Sequence, residues 1–171
     1  MIEDLERALP GLSRARRRAP LGINWEIVEE AIGIPLPVDY KELCEFYPRF
    51  EVFGFLRVAR PLPGRESDWA KWTLEDLEDL RDSFDAELTE YQPYPAPGGL
   101  IPWGASSSGD RYFWKIDDGV AVSVVSGNRG DDFWEFPGEM TLFLGEWISG
   151  EIVPEGQPDF SEFSGDAFKI Y

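Results

Sequence analysis

Apolar residues recur at helical spacing through the first half of the chain and in short strand-length runs through the second. That change of period is hard to satisfy with anything but an α+β domain, helices gathered on an antiparallel sheet. Ile2, Leu5 and Leu9 are spaced for a short helix that Pro10 ends, and the basic stretch from Gly11 to Pro20 predicts loose packing over 1–22. Asn24 offers an N-cap, Trp25, Val28 and Ile32 share a face, and Gly33 closes a second helix. Pro37 suits the first turn of a third, where Asp39 meets the positive end of the helix dipole. Tyr40, Leu43, Cys44 and Tyr47 then follow at i, i+3, i+4 and i+7 before Pro48.

Residues 52–59 read as one strand, with Gly54 marking a bulge or a close approach. The most regular helix comes next, with Thr73 as N-cap and Leu74, Leu77, Leu80, Phe84, Leu88 and Tyr91 along one stripe. The Pro- and Gly-rich run 93–99 is a loop. Strands are predicted at 100–103, 111–116, 120–125 and 133–136, with Asp117-Asp118-Gly119 and 126–131 as turns. Residues 138–149 return to helix, and Phe160, Phe163, Phe168 and Ile170 are too apolar to hang free. With 171 residues and no composition break, one domain spanning 1–171 is expected.

Charge and missing residue types narrow the function. The chain carries 33 acidic and 16 basic side chains, a formal charge of −17. Residues 1–20 hold five of the basic groups and only three of the acidic ones, so the rest of the chain stands at 11 against 30, a net of −19. Such a field repels nucleic acid and accelerates encounter with a basic protein, although it also serves solubility. Like charge of this size argues for a monomer. Histidine is absent and Cys44 is the single cysteine. This removes Ser-His and Cys-His nucleophiles, the commonest metal ligand and any internal disulfide. No metal and no cofactor are expected. A charged N-terminus without a signal-like stretch, and no long apolar run, predict a cytoplasmic protein without membrane association.

Few residues invite a catalytic reading. Asp117-Asp118 and Asp131-Asp132, with seven Trp in the chain, resemble the carboxylates and stacking platforms of a polysaccharide hydrolase. Both pairs sit beside glycine in predicted turns, where Asp is favoured for backbone reasons. Ser106–Asp110 lacks a base for a nucleophile, and Arg129-Gly130-Asp131 matches an adhesion tripeptide by letter alone. The long helix is different. Glu75, Asp76, Glu78, Asp79, Asp82, Asp85, Glu87 and Glu90 stand against Arg81 alone, and like charges at i, i+3 and i+4 repel by a few tenths of a kcal/mol per pair. Glu75, Glu78, Asp79, Asp82 and Asp85 form the candidate partner-binding set, with Trp69 and Trp72 as aromatic anchors. A solvated acidic face and two core tryptophans fit the same residues.

The order Trp25…Ile32-Gly33…Leu36-Pro37-Val38-Asp39-Tyr40-Lys41…Phe46-Tyr47, then Gly54-Phe55-Leu56, resembles the SMI1/KNR4 family of the SUKH superfamily. Leu100-Ile101-Pro102-Trp103-Gly104, Gly109-Asp110 and Tyr112–Asp117 extend the likeness, which covers about residues 24–150; the acidic stretch 61–99 aligns with no family motif. The resemblance implies a mostly antiparallel central sheet flanked by helices. It also implies a non-catalytic bacterial immunity protein that binds and neutralises a cognate toxin, and the charge suits a basic one such as a nuclease. A carboxylate-based polysaccharide hydrolase and a regulatory scaffold without a toxin partner are the alternatives.

Overall fold

A computed structural model describes residues 2–127, 132–163 and 167–171. Helices α1 (Ile2–Ala8), α2 (Pro10–Ala15), α3 (Trp25–Ile32) and α4 (Val38–Phe46) precede the short strands β1 (Phe50–Val52) and β2 (Leu56–Val58). The 20-residue helix α5 (Glu66–Asp85) separates these from β3 (Leu100–Ser106), β4 (Arg111–Asp117), β5 (Val120–Gly127) and β6 (Phe133–Phe136). Helix α6 (Met140–Ser149), a 3-10 turn (Phe160–Glu162) and β7 (Phe168–Ile170) complete the chain. The strands form one sheet in the order β6-β5-β4-β3-β2-β1-β7, antiparallel at every junction. The expected α+β architecture, a central antiparallel sheet with flanking helices, is the observed one.

Strand pleating sorts the side chains into two cores. Tyr112, Trp114 and Ile116 of β4 join the main cluster, while Phe113 between them joins a second. Successive residues of a strand point to opposite faces, so the clusters lie on opposite sides of the sheet. The main cluster is aromatic at its centre. Tyr40 meets Trp114 edge-on at 4.8 Å between ring centroids, and Trp147 stacks on Phe160 at 4.5 Å. Helix α1 crosses α6 at Gly145, where a Cβ would come within 3.0 Å of the Asp4 backbone. The second cluster is small: Leu80 of α5 packs with Leu100, Phe113 and Val125, and Tyr91 and Phe133 border them.

Two buried charged residues tie helix ends to distant segments. Asp39 accepts a hydrogen bond at 2.9 Å from the Thr141 backbone N–H in the first turn of α6, so its carboxylate serves two helix N-termini. Arg60 Nη1 donates to the carbonyls of Leu43, Tyr47 and Pro48 at the C-terminal end of α4. Cys44 is buried nearby, and burial pushes its thiol up to about 12.

Several local expectations are corrected. The basic N-terminal segment is not loosely held. Pro10 opens α2 instead of only ending α1, since a first-turn proline costs no hydrogen bond, and Leu9 and Leu12 are buried. Tyr47 Oη donates to Glu6 and accepts from Arg16, whose guanidinium also pairs with Glu42. The single strand expected over 52–59 is a hairpin, with Phe53 and Gly54 both at positive φ in its turn. Helix α5 starts seven residues before Thr73, which is buried mid-helix with its hydroxyl bonded to the Trp69 carbonyl. It also ends before Leu88 and Tyr91. Strand β3 runs three residues past the expected Trp103. By contrast Asp118 and Gly119 form the expected two-residue hairpin turn, with Asp117 paired to Val120. The tail packs as expected: Phe160 is buried and β7 pairs with β1. The predicted turn 126–131 falls largely outside the described residues.

Candidate partner-binding surface

Helix α5 has one buried stripe, with exposed and half-buried residues around the rest of its circumference. Glu66, Trp69, Ala70, Thr73, Leu77 and Leu80 are buried, a spacing of threes and fours that turns this face to the protein. Glu66 anchors the start of the helix by accepting a hydrogen bond at 2.9 Å from the Asn24 backbone N–H. That bond is the leading cause of its carboxyl lying below the ordinary glutamate value. Trp69 therefore takes the core role: it is 5 % exposed and packs near Tyr40 at 6.3 Å. Buried there, it is withdrawn from any partner, whereas Trp72 is half-buried at the surface.

The acidic candidates separate by helical angle. Glu75, Glu78, Asp82 and Asp85 are exposed and point outward. Asp79, also exposed, lies instead on a flank shared with Trp72, Asp76 and Ser83 at i, i+4, i+7 and i+11. The sequence set thus contains two surfaces, an outward acidic face and a flank directed at the sheet.

Beside that flank is a pocket of about 230 Å³ between α5 and strands β4 and β5. Leu80, Leu88, Phe113 and Phe133 supply its apolar lining, and Tyr91 stacks on Phe133 at 4.8 Å behind them. Asp76, Asp79 and Arg111 are its charged groups. The Asp76 side chain is only 10 % exposed, and its Oδ2 lies 3.3 Å from Arg111 Nε yet accepts no hydrogen bond. Burial pushes the Asp76 carboxyl above the ordinary aspartate value, against the opposing charge of Arg111. Asp76, Arg111, Phe113 and Phe133 were not among the sequence candidates. The signal for them was present in two periodicities, Trp72-Asp76-Asp79 on the helix and Arg111-Phe113-Lys115 on the strand, but nothing in the sequence pairs those elements.

The catalytic candidates find little geometric support. Trp103, Trp114 and Trp147 are buried with Trp69, which leaves few exposed indoles for sugar stacking. Asp117 and Asp118 are exposed at a hairpin tip. The Ser106 hydroxyl bonds to the Asp110 carboxylate and accepts from the backbone N–H groups of Ser108 and Asp110, so it organises its own loop. The Arg129-Gly130-Asp131 tripeptide and Asp131 of the second pair lie outside the described residues. Among the described residues no three His, Cys, Asp or Glu side chains gather as a metal-binding group. No helix among them is long and apolar enough to cross a membrane.

The model of the SMI1 / KNR4 family (SUKH-1) matches residues 23–163, most of the chain. The chain belongs to the SMI1/KNR4 family. The matched span starts just before α3, takes in the whole sheet except β7, and includes the acidic helix that carries no recognisable motif of its own. Membership of SUKH-1 is consistent with an immunity-type protein, since members of this family bind toxins in that role. No curated protein and no solved structure matches the chain.

Proposed function

We propose that this SMI1/KNR4 protein is a non-catalytic immunity protein that binds a cognate protein toxin in the bacterial cytoplasm and neutralises it. Family membership over residues 23–163 is the observation that carries the reading. The acidic outward face of α5, with Glu75, Glu78, Asp82 and Asp85 exposed, supports a basic partner such as a nuclease domain. Its field would raise the association rate, while closer contacts on the flank of Trp72 and Asp79 would set the lifetime of the complex. With a formal charge of −17, self-association is opposed and a monomer is expected to meet the toxin.

The test is protection. A tagged chain should retrieve one toxin domain in equal amount from its native cells. Expression of that domain in a test host should arrest growth unless the chain is co-expressed. Growth arrest that persists despite a soluble, folded chain would overturn the reading.

A further inference from the structure

Resting on the toxin-binding reading, we propose that the pocket between α5 and strands β4 and β5 is a socket for one arginine side chain of the partner protein. Its size sets the first limit. At about 230 Å³ it lies below the roughly 300–1,000 Å³ of small-molecule sites and suits a single inserted side chain.

Charge sets the second. Asp76 and Asp79, at i and i+3 on the same flank, face one internal cation, Arg111. The pocket is therefore one positive charge short of balance. The shortage is felt at Asp76, whose Oδ2 is buried beside Arg111 and accepts no hydrogen bond. A buried carboxylate oxygen without a donor is costly, and a guanidinium entering between Asp76 and Asp79 would supply one.

The apolar lining then distinguishes arginine from lysine. Phe113 and Phe133 lie 6.5 Å apart at an interplanar angle of 32°, and both border the pocket. A planar, weakly hydrated guanidinium can lie on such rings while its edge meets a carboxylate; a compact ammonium keeps its water and gains less. Leu80 and Leu88 would cover the methylene stem.

The test is an NMR titration of the full chain with N-acetyl-arginine amide and with its lysine and glutamine counterparts. Arginine should shift the backbone amides of Asp76, Asp79, Leu80, Arg111 and Phe133 with millimolar saturation; lysine should bind several-fold more weakly, and glutamine should leave them in place. Asp79→Asn, at an exposed position, should weaken arginine about tenfold, the size of one charge-assisted hydrogen bond. Ser83→Arg should abolish the response by placing the chain's own guanidinium on the same flank. Asp82→Asn, an equal charge change on the outward face, should leave it unaltered. Equal response to arginine and glutamine, shifts spread along the outward face, or equal losses in Asp79→Asn and Asp82→Asn would overturn the socket. The titration needs no toxin, so its failure leaves the immunity reading standing, and absence of growth protection leaves the titration result standing.

Discussion

The two faces of the sheet are built on different principles. On one, residues from all six helices and three fully buried tryptophans make a continuous apolar core, and the buried charges beside it are held by backbone groups, as Asp39 and Arg60 are. On the other, Leu80, Leu100, Phe113 and Val125 form a small apolar island. Beside it stand a pocket with an unbalanced carboxylate pair and, towards the far edge, a cross-strand triad in which Glu51 of β1 lies opposite both Arg57 and Lys169. A face that buries little and keeps charges in play has less to contribute to stability and more surface to offer a partner. Folding rests mainly on the first side of the sheet, and the proposed toxin-binding reading puts recognition on the second.

The sharpest way to break that division is to truncate one large side chain on each face. Trp147→Ala on the main face should lose about 3–5 kcal/mol, seen as a lower urea midpoint with an unchanged slope. Leu80→Ala should lose about 2 kcal/mol, the low end for buried leucine, because its site opens onto a pocket. Equal losses would mean that both faces carry the fold. In the opposite direction, replacing Glu75, Glu78, Asp79 and Asp82 by Lys should slow toxin association by about 10–1,000-fold at low salt, with the deficit shrinking as salt rises. Its effect on the urea midpoint should be small, since like-charge repulsion along α5 is also altered. Unchanged association kinetics would remove α5 from the interface and leave the family assignment intact.

Asp39 probes how the main face is joined. Its carboxylate holds the Thr141 N–H across 102 residues of sequence. Asp39→Ala should cost about 1–3 kcal/mol, the range for leaving a buried donor unsatisfied, with no change in toxin association. This residue also marks where sequence reading stops. That Asp39 suits the start of α4 is legible from Pro37-Val38-Asp39 alone; that it also serves α6 requires knowing that the two helices meet. Helices α3 and α4, strands β4 to β6 and the Asp118-Gly119 turn were legible because each rests on contacts within a short stretch. The start of α5 was not, because Thr73 has the chemistry of a cap but is buried by tertiary packing. Pro10 is ambiguous in sequence for a related reason: proline ends one helix and opens the next with equal ease. Of the candidate site, the acidic face could be seen in composition and spacing. The pocket could not, since it joins residues 76–83 of a helix to 109–113 and 133 of the sheet.

The smallest expected effects concern two carboxylates on the second face of the sheet, and their signs differ. Glu51 receives two hydrogen bonds from Arg57, at 2.7 and 2.9 Å, with Lys169 3.5 Å away. The Arg57 bonds are the leading reason its carboxyl lies below the ordinary glutamate value, against the opposing effect of burial. Its stabilising contribution is present above the unfolded-state value near pH 4.3 and is lost as pH falls through the depressed folded value. Asp76 is displaced upward by burial, so the folded state holds its proton more tightly than the unfolded chain does. Its contribution is fully present below the unfolded-state value near pH 3.9 and is lost as pH rises through the elevated folded value. Urea midpoints measured from pH 3 to pH 7 should therefore show Glu51→Gln below the parent at neutral pH and converging with it in acid. Asp76→Asn should move the other way with pH, gaining on the parent as pH rises. Parallel curves for the two variants would mean that Asp76 is no less well served than Glu51, and the contrast between a satisfied triad and an unbalanced pocket on the same face would fall.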